Sequence, residues 1–198
     1  LALRAEQAQR PLEAEQLLLQ AARADQTALP RWTLLNFYAR QDRPVEFWHW
    51  LPRTLRIMAG ESKAVFDLAR RLDPKLERTS AMLPPRAPVL RGFLDYAIDR
   101  NEYSFALAPA LALIAQGSPA RERPFLLGLV NLLIRDRRSS DALAVWNRMS
   151  ERGWIPRRSP AALSSEPLQA GFDWRLYFPE GVTPATRGDF LEITFDGR

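Results

Sequence analysis

Arg10-Pro11-Leu12-Glu13-Ala14-Glu15 returns 33 positions later as Arg43-Pro44-Val45-Glu46-Phe47-Trp48. In both copies a polar turn is followed by proline, tolerated at the first position of a helix because the N–H it lacks has no intrahelical partner there. Apolar residues then follow at helical spacing: Leu12, Leu17, Leu18, Ala21 and Ala22 after the first copy, and Phe47, Trp48, Leu51, Leu55 and Met58 after the second. Self-similarity with a period in the thirties marks stacked helix-turn-helix hairpins, because no hairpin can bury its apolar face alone.

Working outward, the spacing predicts a helix over Pro11–Ala24, a break at Asp25–Pro30 and an aromatic helix carrying Trp32, Leu34, Leu35, Phe37 and Tyr38. Gln41-Asp42-Arg43-Pro44 turns the chain into a return helix that Pro52 should kink, since proline removes a hydrogen bond inside a helix. A helix over Lys63–Leu72 stops at Asp73-Pro74, and a short segment runs on to Leu83. Two further pairs are expected, Val89–Ile98 with Glu102–Ala115 and Pro124–Ile134 with Ser140–Arg152. One marker per turn gives Gln9, Asp42, Asp73, Asn101 and Arg137, spaced 33, 31, 28 and 36 apart, an eroded repeat.

Past Gly153 the pattern changes. Residues 154–170 read as a linker rich in Ser, Pro and Ala. Phe172–Phe178 reads as a strand, Pro179-Glu180-Gly181 as a turn and Phe190–Phe195 as a second strand, with Leu191, Ile193 and Phe195 on one side. Two strands cannot stand alone in water. Either they lie on the last helices and bury Trp154 and Trp174, or they open a β-sandwich that continues beyond the chain. The expected organisation is therefore a mainly α repeat domain over 1–153, a linker over 154–170 and a β-rich extension over 171–198.

The repeats resemble the tetratricopeptide family over Leu1–Gly153. Leu34 and Tyr38, the Asp42 turn, then Phe47, Leu51, Thr54 and Leu55 carry the likeness; so do Ala14, Leu18 and Ala21 in the first hairpin and Leu129, Leu133, Ala142, Trp146 and Met149 in the last. The small residue that the family prefers at the close helix crossing is kept as Ala14, Ala106 and Ala142, but is replaced by Phe47 and Arg78, so the third hairpin should be either distorted or not truly of the family. The resemblance implies a superhelical solenoid whose first helices line a peptide-binding concave face. In that frame Asn36 and Arg40, Asp67 and Arg71, Asp95 and Asp99, and Asn131 and Arg135 form pairs four apart on one helix face each. An amide beside a guanidinium fork suits a carboxylate or an extended peptide backbone. Trp32, Asn36, Arg40, Arg71, Asn131 and Arg135 are thus the expected partner-binding residues. The alternative is that Arg71 and Arg135 pair with Asp67, Asp95 or Asp99 and merely join hairpins.

Other chemistry finds little support. The 198-residue chain has no cysteine, which excludes disulfides and thiolate chemistry, and its single histidine, His49, has no second ligand four residues away to build a metal site. There is no Gly-x-Ser-x-Gly phrase, and none of the nine glycines stands in a Gly-x-Gly spacing. No catalytic residue, metal or cofactor is expected. No stretch reaches the roughly 20 apolar residues that cross a bilayer. The chain opens on Leu1 within what reads as a helix, so the true start, with any signal or anchor, is expected upstream. Of the 28 basic residues only Lys63 and Lys75 are lysines, a bias that reads as the composition of a GC-rich genome.

The expected role is a non-enzymatic scaffold or accessory subunit that binds another protein. Leu29–Leu72 and Gly171-Phe172-Asp173-Trp174-Arg175 resemble bacterial repeat proteins with a membrane anchor before the repeats and a carbohydrate-binding-like domain after them. That resemblance implies a periplasmic or membrane-associated accessory of polysaccharide assembly. Asp141–Met149 followed by Glu151–Pro156 is similar to a pentatricopeptide repeat, which implies RNA binding.

Overall fold

The computed structural model describes residues 1–58, 62–157, 168–173, 175, 177, 180–187 and 190–196. Among them the chain is mainly helical, with one two-stranded antiparallel sheet near the C-terminus. It divides into two compact units, Leu1–Gln116 and Gly117–Arg198, the division falling between two helices.

The first unit runs α1 (Ala2–Gln7), α2 (Pro11–Ala24), α3 (Ala28–Arg40), α4 (Pro44–Ile57), α5 (Lys63–Leu72), α6 (Glu77–Ala81), α7 (Ala87–Asp99) and α8 (Leu107–Gln116). Helices α1 and α2, α3 and α4, and α7 and α8 pack as chain neighbours, while α2 on α3, α3 on α5 and α5 on α7 join hairpin to hairpin. The periodic apolar residues meet in the middle: Ala14, Leu18, Leu34, Phe37, Phe47, Leu51 and Phe66 share one buried cluster. Each large side chain among them stabilises the unit by about 1.5–3 kcal/mol on leaving water. At the α5–α7 seam Phe66 meets Phe93 edge-on, with centroids 5.5 Å apart.

Ala14, Ala106 and Ala142 are all buried. Phe47 is buried too, its ring edge-on to Trp48 at 5.1 Å. Arg78 instead points its guanidinium over the Trp48 ring, 4.7 Å from the centroid. Helix α6, which follows α5, has only five residues.

The turns share one backbone device. Gln9, Asp42, Asn101 and Arg137 all adopt left-handed φ, between 51° and 61°. After each, the next N–H donates back across the turn: Arg10 to Ala5, Arg43 to Tyr38, Glu102 to Ala97 and Arg138 to Leu133, at 2.8–3.0 Å. This closure satisfies carbonyls that the helix end leaves unpaired. Arg10, Arg43 and Arg138 each reach an acidic residue three positions on, Glu13, Glu46 and Asp141.

Several expectations need correction. In the third hairpin the left-handed residue is Leu76, not Asp73. The Asp73 carboxylate instead accepts the Thr79 N–H at 2.8 Å and its hydroxyl at 2.9 Å, tying down the first turn of α6. Pro30 lies in the first turn of α3 rather than in a break, a position where proline costs little. Helix α8 starts at Leu107 rather than Glu102, because buried Tyr103 and the Arg70–Glu102 ion pair hold the preceding residues in a loop.

The second unit contains α9 (Pro119–Arg135), α10 (Ser139–Glu151), β1 (Val182–Arg187) and β2 (Phe190–Phe195). Helix α9 begins five residues before the expected Pro124, which it accommodates internally. Leu126, Leu129, Val130 and Leu133 of α9 and Val145 and Met149 of α10 are buried. The strand expected at Phe172–Phe178 is not formed by its described residues, Phe172, Asp173, Arg175 and Tyr177; Trp174 lies outside the described residues. Gly171 turns here with φ 60°, its N–H donates to Asn131 Oδ1 at 2.8 Å, and the Phe172 ring meets Trp146 edge-on at 6.0 Å. These anchors hold the phrase as a turn, and the strand begins ten residues later, at Val182. Strand β1 pairs with β2 so that Val182 faces Phe195 and Pro184 faces Ile193. Trp154 is buried, whereas Ile193 and Phe195 stand exposed on the strand. The stretch 158–167 of the expected linker lies outside the described residues.

Candidate functional site

The side chains expected to meet a partner are largely engaged within the protein. On α3, Asn36 Nδ2 donates to the Trp32 carbonyl at 2.9 Å, one helical turn back, and Trp32 is itself partly buried against the core. The Arg40 guanidinium grips Glu6 of α1 with both arms, at 3.0 and 2.8 Å. That bidentate bond from Arg40 is the main reason the Glu6 carboxyl is held below its ordinary pKa. In the second unit Asn131 Oδ1 accepts from Gly171 N–H and, at 2.6 Å, from Arg175, so it anchors the C-terminal segment. Arg71 and Arg135 are exposed, with no hydrogen bond or ion pair among the described residues.

The alternative pairing, in which Arg71 or Arg135 meets Asp67, Asp95 or Asp99, is corrected in detail. Arg70, one residue and about 100° of helix away from Arg71, reaches Glu102 at 2.5 Å. Asp67 takes Arg100 at 2.7 Å and the Tyr96 hydroxyl at 2.9 Å. Asp95 takes Arg91, and Asp99 takes Lys63.

These contacts form a repeated clasp. At one seam the Tyr38 hydroxyl donates to Glu15 at 2.9 Å while Arg43 donates to the same carboxylate at 2.5 Å and lies 5.1 Å over the Tyr38 ring. At another, Tyr96 and Arg100 share Asp67, and Arg100 stacks 3.8 Å over Tyr96. Burial, and then the bond to the carboxylate, push the Tyr96 hydroxyl up to about 12 and that of Tyr38 further still. Both tyrosines therefore stay protonated donors at neutral pH.

A second feature is invisible in the repeat frame. Ala22 and Arg23 at the end of α2, Gln26 in the link, Arg31 in the first turn of α3, and Trp50, Arg53 and Arg56 along α4 enclose an open cleft of about 430 Å³. The three α4 residues lie three apart and so share a face. Arg31 donates to Gln26 Oε1 at 2.7 Å, and Arg53 to the His49 carbonyl at 2.6 Å, with its guanidinium 6.0 Å from the Trp50 ring centroid. Arg23 and Arg56 are exposed and unpaired among the described residues. The four cations have no carboxylate among the residues lining the cleft. Nearby Asp25 is occupied, accepting the Thr27 N–H at 2.8 Å, which holds its carboxyl below the usual range. Like charges gathered around one cleft repel, so an incoming anion relieves repulsion as well as making bonds. Sequence reasoning missed this cleft because its arginines come from three elements with no common spacing; Trp50 on the α4 face away from Phe47 and Leu51 was the one pointer.

Among the described residues no three His, Cys, Asp or Glu side chains are grouped to hold a metal ion, and no helix is long and apolar enough to cross a membrane. Comparison with family models, with curated proteins and with solved structures returns no match.

Proposed function

We propose that the chain is a non-enzymatic protein-binding scaffold, a tetratricopeptide-like superhelical solenoid whose first helices present a face to a partner protein. The observation that supports it is the clasp found at two of the seams, Tyr38–Arg43–Glu15 and Tyr96–Arg100–Asp67. Such bonds hold consecutive hairpins in a set register, which a rigid binding surface requires. With Arg40 and Asn131 committed to internal bonds, Trp32 and Arg71 remain for contact in the first unit and, separately, Arg135 in the second. Affinity capture from the source cell with mass spectrometry tests the reading, comparing the wild type with the double variant Arg71→Glu/Arg135→Glu. Both side chains are exposed and unpaired among the described residues, so the variant keeps its helicity. A protein captured by the wild type and lost from the variant is the expected result. Equal capture by both, or capture of RNA in place of protein, refutes it.

A further inference from the structure

The structure assigns the cleft between the end of α2 and α4 as a seat for an acidic peptide segment, distinct from the first-helix face proposed above. The inference rests on the scaffold reading, since it names the chemistry of a partner. Four guanidinium groups, Arg23, Arg31, Arg53 and Arg56, surround the cleft, and its lining contains no carboxylate. They come from three elements, with Arg23, Arg53 and Arg56 exposed to solvent. A point anion suits donors that converge in an enclosed pocket. Donors spread along an open trough are matched by several carboxylates carried at intervals on one chain. Trp50, partly buried beneath Arg53, adds a flat apolar floor on which a side chain between the carboxylates can lie. Arg53 is already oriented by the His49 carbonyl and Arg31 by Gln26, so part of the fork is preorganised. The occupant is therefore a partner segment with acidic residues on both sides of an aromatic or apolar one.

The probe is a fluorescein-labelled Glu-Glu-Phe-Glu-Glu peptide, followed by fluorescence anisotropy, with its Gln-Gln-Phe-Gln-Gln counterpart as the uncharged control. The wild type is expected to bind the acidic peptide at least about tenfold more tightly than the control, with affinity falling as salt rises. Arg23→Glu/Arg56→Glu is expected to abolish that preference; both side chains are exposed and unpaired among the described residues, and far-UV circular dichroism checks the fold. Trp50→Phe should weaken binding severalfold while retaining the charge preference. Unchanged binding by Arg23→Glu/Arg56→Glu overturns the inference, as does equal affinity for the two peptides. Tighter binding of inorganic phosphate or of single-stranded RNA in competition overturns it in favour of those anions. If Arg71→Glu/Arg135→Glu alone loses the acidic peptide, the cleft assignment falls while the first-helix scaffold stands. If the cleft binds the peptide but the cell yields no protein partner, the cleft survives and the scaffold reading falls.

Discussion

Replacing Tyr38 by phenylalanine isolates one bond of the seam clasp. The change keeps the buried ring and its stacking beneath Arg43, and deletes the hydroxyl that reaches Glu15 at 2.9 Å. Hydrogen bonds to charged acceptors contribute about 1.5–3 kcal/mol. Because Glu15 keeps Arg43 at 2.5 Å, its carboxylate is not stranded, and the expected loss lies at the low end, about 1.5 kcal/mol. Glu46→Ala removes the other partner of Arg43, a half-exposed neighbour three residues on; such a pair contributes less than about 0.5 kcal/mol. The two variants touch the same guanidinium, so their ranking separates a seam bond from a local one. Urea denaturation of Tyr38→Phe, Glu15→Gln and the double variant should return a coupling of about 1 kcal/mol. Hydrogen exchange should speed up in α2 and α3 before it does elsewhere in the first unit. The reasoning fails if Tyr38→Phe costs less than Glu46→Ala, if the two clasp substitutions are additive, or if exchange rises equally throughout that unit.

Two further outcomes are expected. A Cβ on Gly171 would stand 2.4 Å from Trp146 Cζ3 at a backbone φ of 60°, so Gly171→Ala should loosen the C-terminal segment. Strain and overpacking together cost at least about 2 kcal/mol, and tryptic cleavage at Arg175 should quicken more than tenfold; an unchanged rate would show that the segment is not held there. Stability should also fall at both ends of the pH scale. Glu6, with its folded pKa lowered by Arg40, contributes above the ordinary carboxylate range and loses that contribution as pH falls through the lowered value. Tyr96, raised to about 12, contributes fully below about pH 10 and loses it as pH climbs towards 12. Glu6→Gln should flatten the acid limb and Tyr96→Phe the alkaline limb of an unfolding-versus-pH curve.

Much of the fold is legible because its signals are local. Pro11, Pro44 and the spaced leucines set the bounds of α2 and α4, and Asp73 ends α5, all through backbone chemistry within a few residues. The third turn is misphased because Leu76, an apolar residue with a left-handed backbone, carries no turn signature, whereas Asp73 does. Phe172 and its neighbours alternate like a strand, but their conformation is decided by Asn131, 40 residues earlier. The site is less legible than the fold for the same reason. Which arginine bridges a seam depends on helix phase, so Arg70 rather than Arg71 finds Glu102. The cleft needs α2, α3 and α4 packed before its cations meet.

The left-handed turns are closed by main-chain atoms, and four of them use Gln9, Asp42, Asn101 and Arg137 in place of glycine. Since any side chain that tolerates the mild strain will serve, these corners can drift in identity without opening. Lineages built this way would lose recognisable wording at their hinges long before losing their shape.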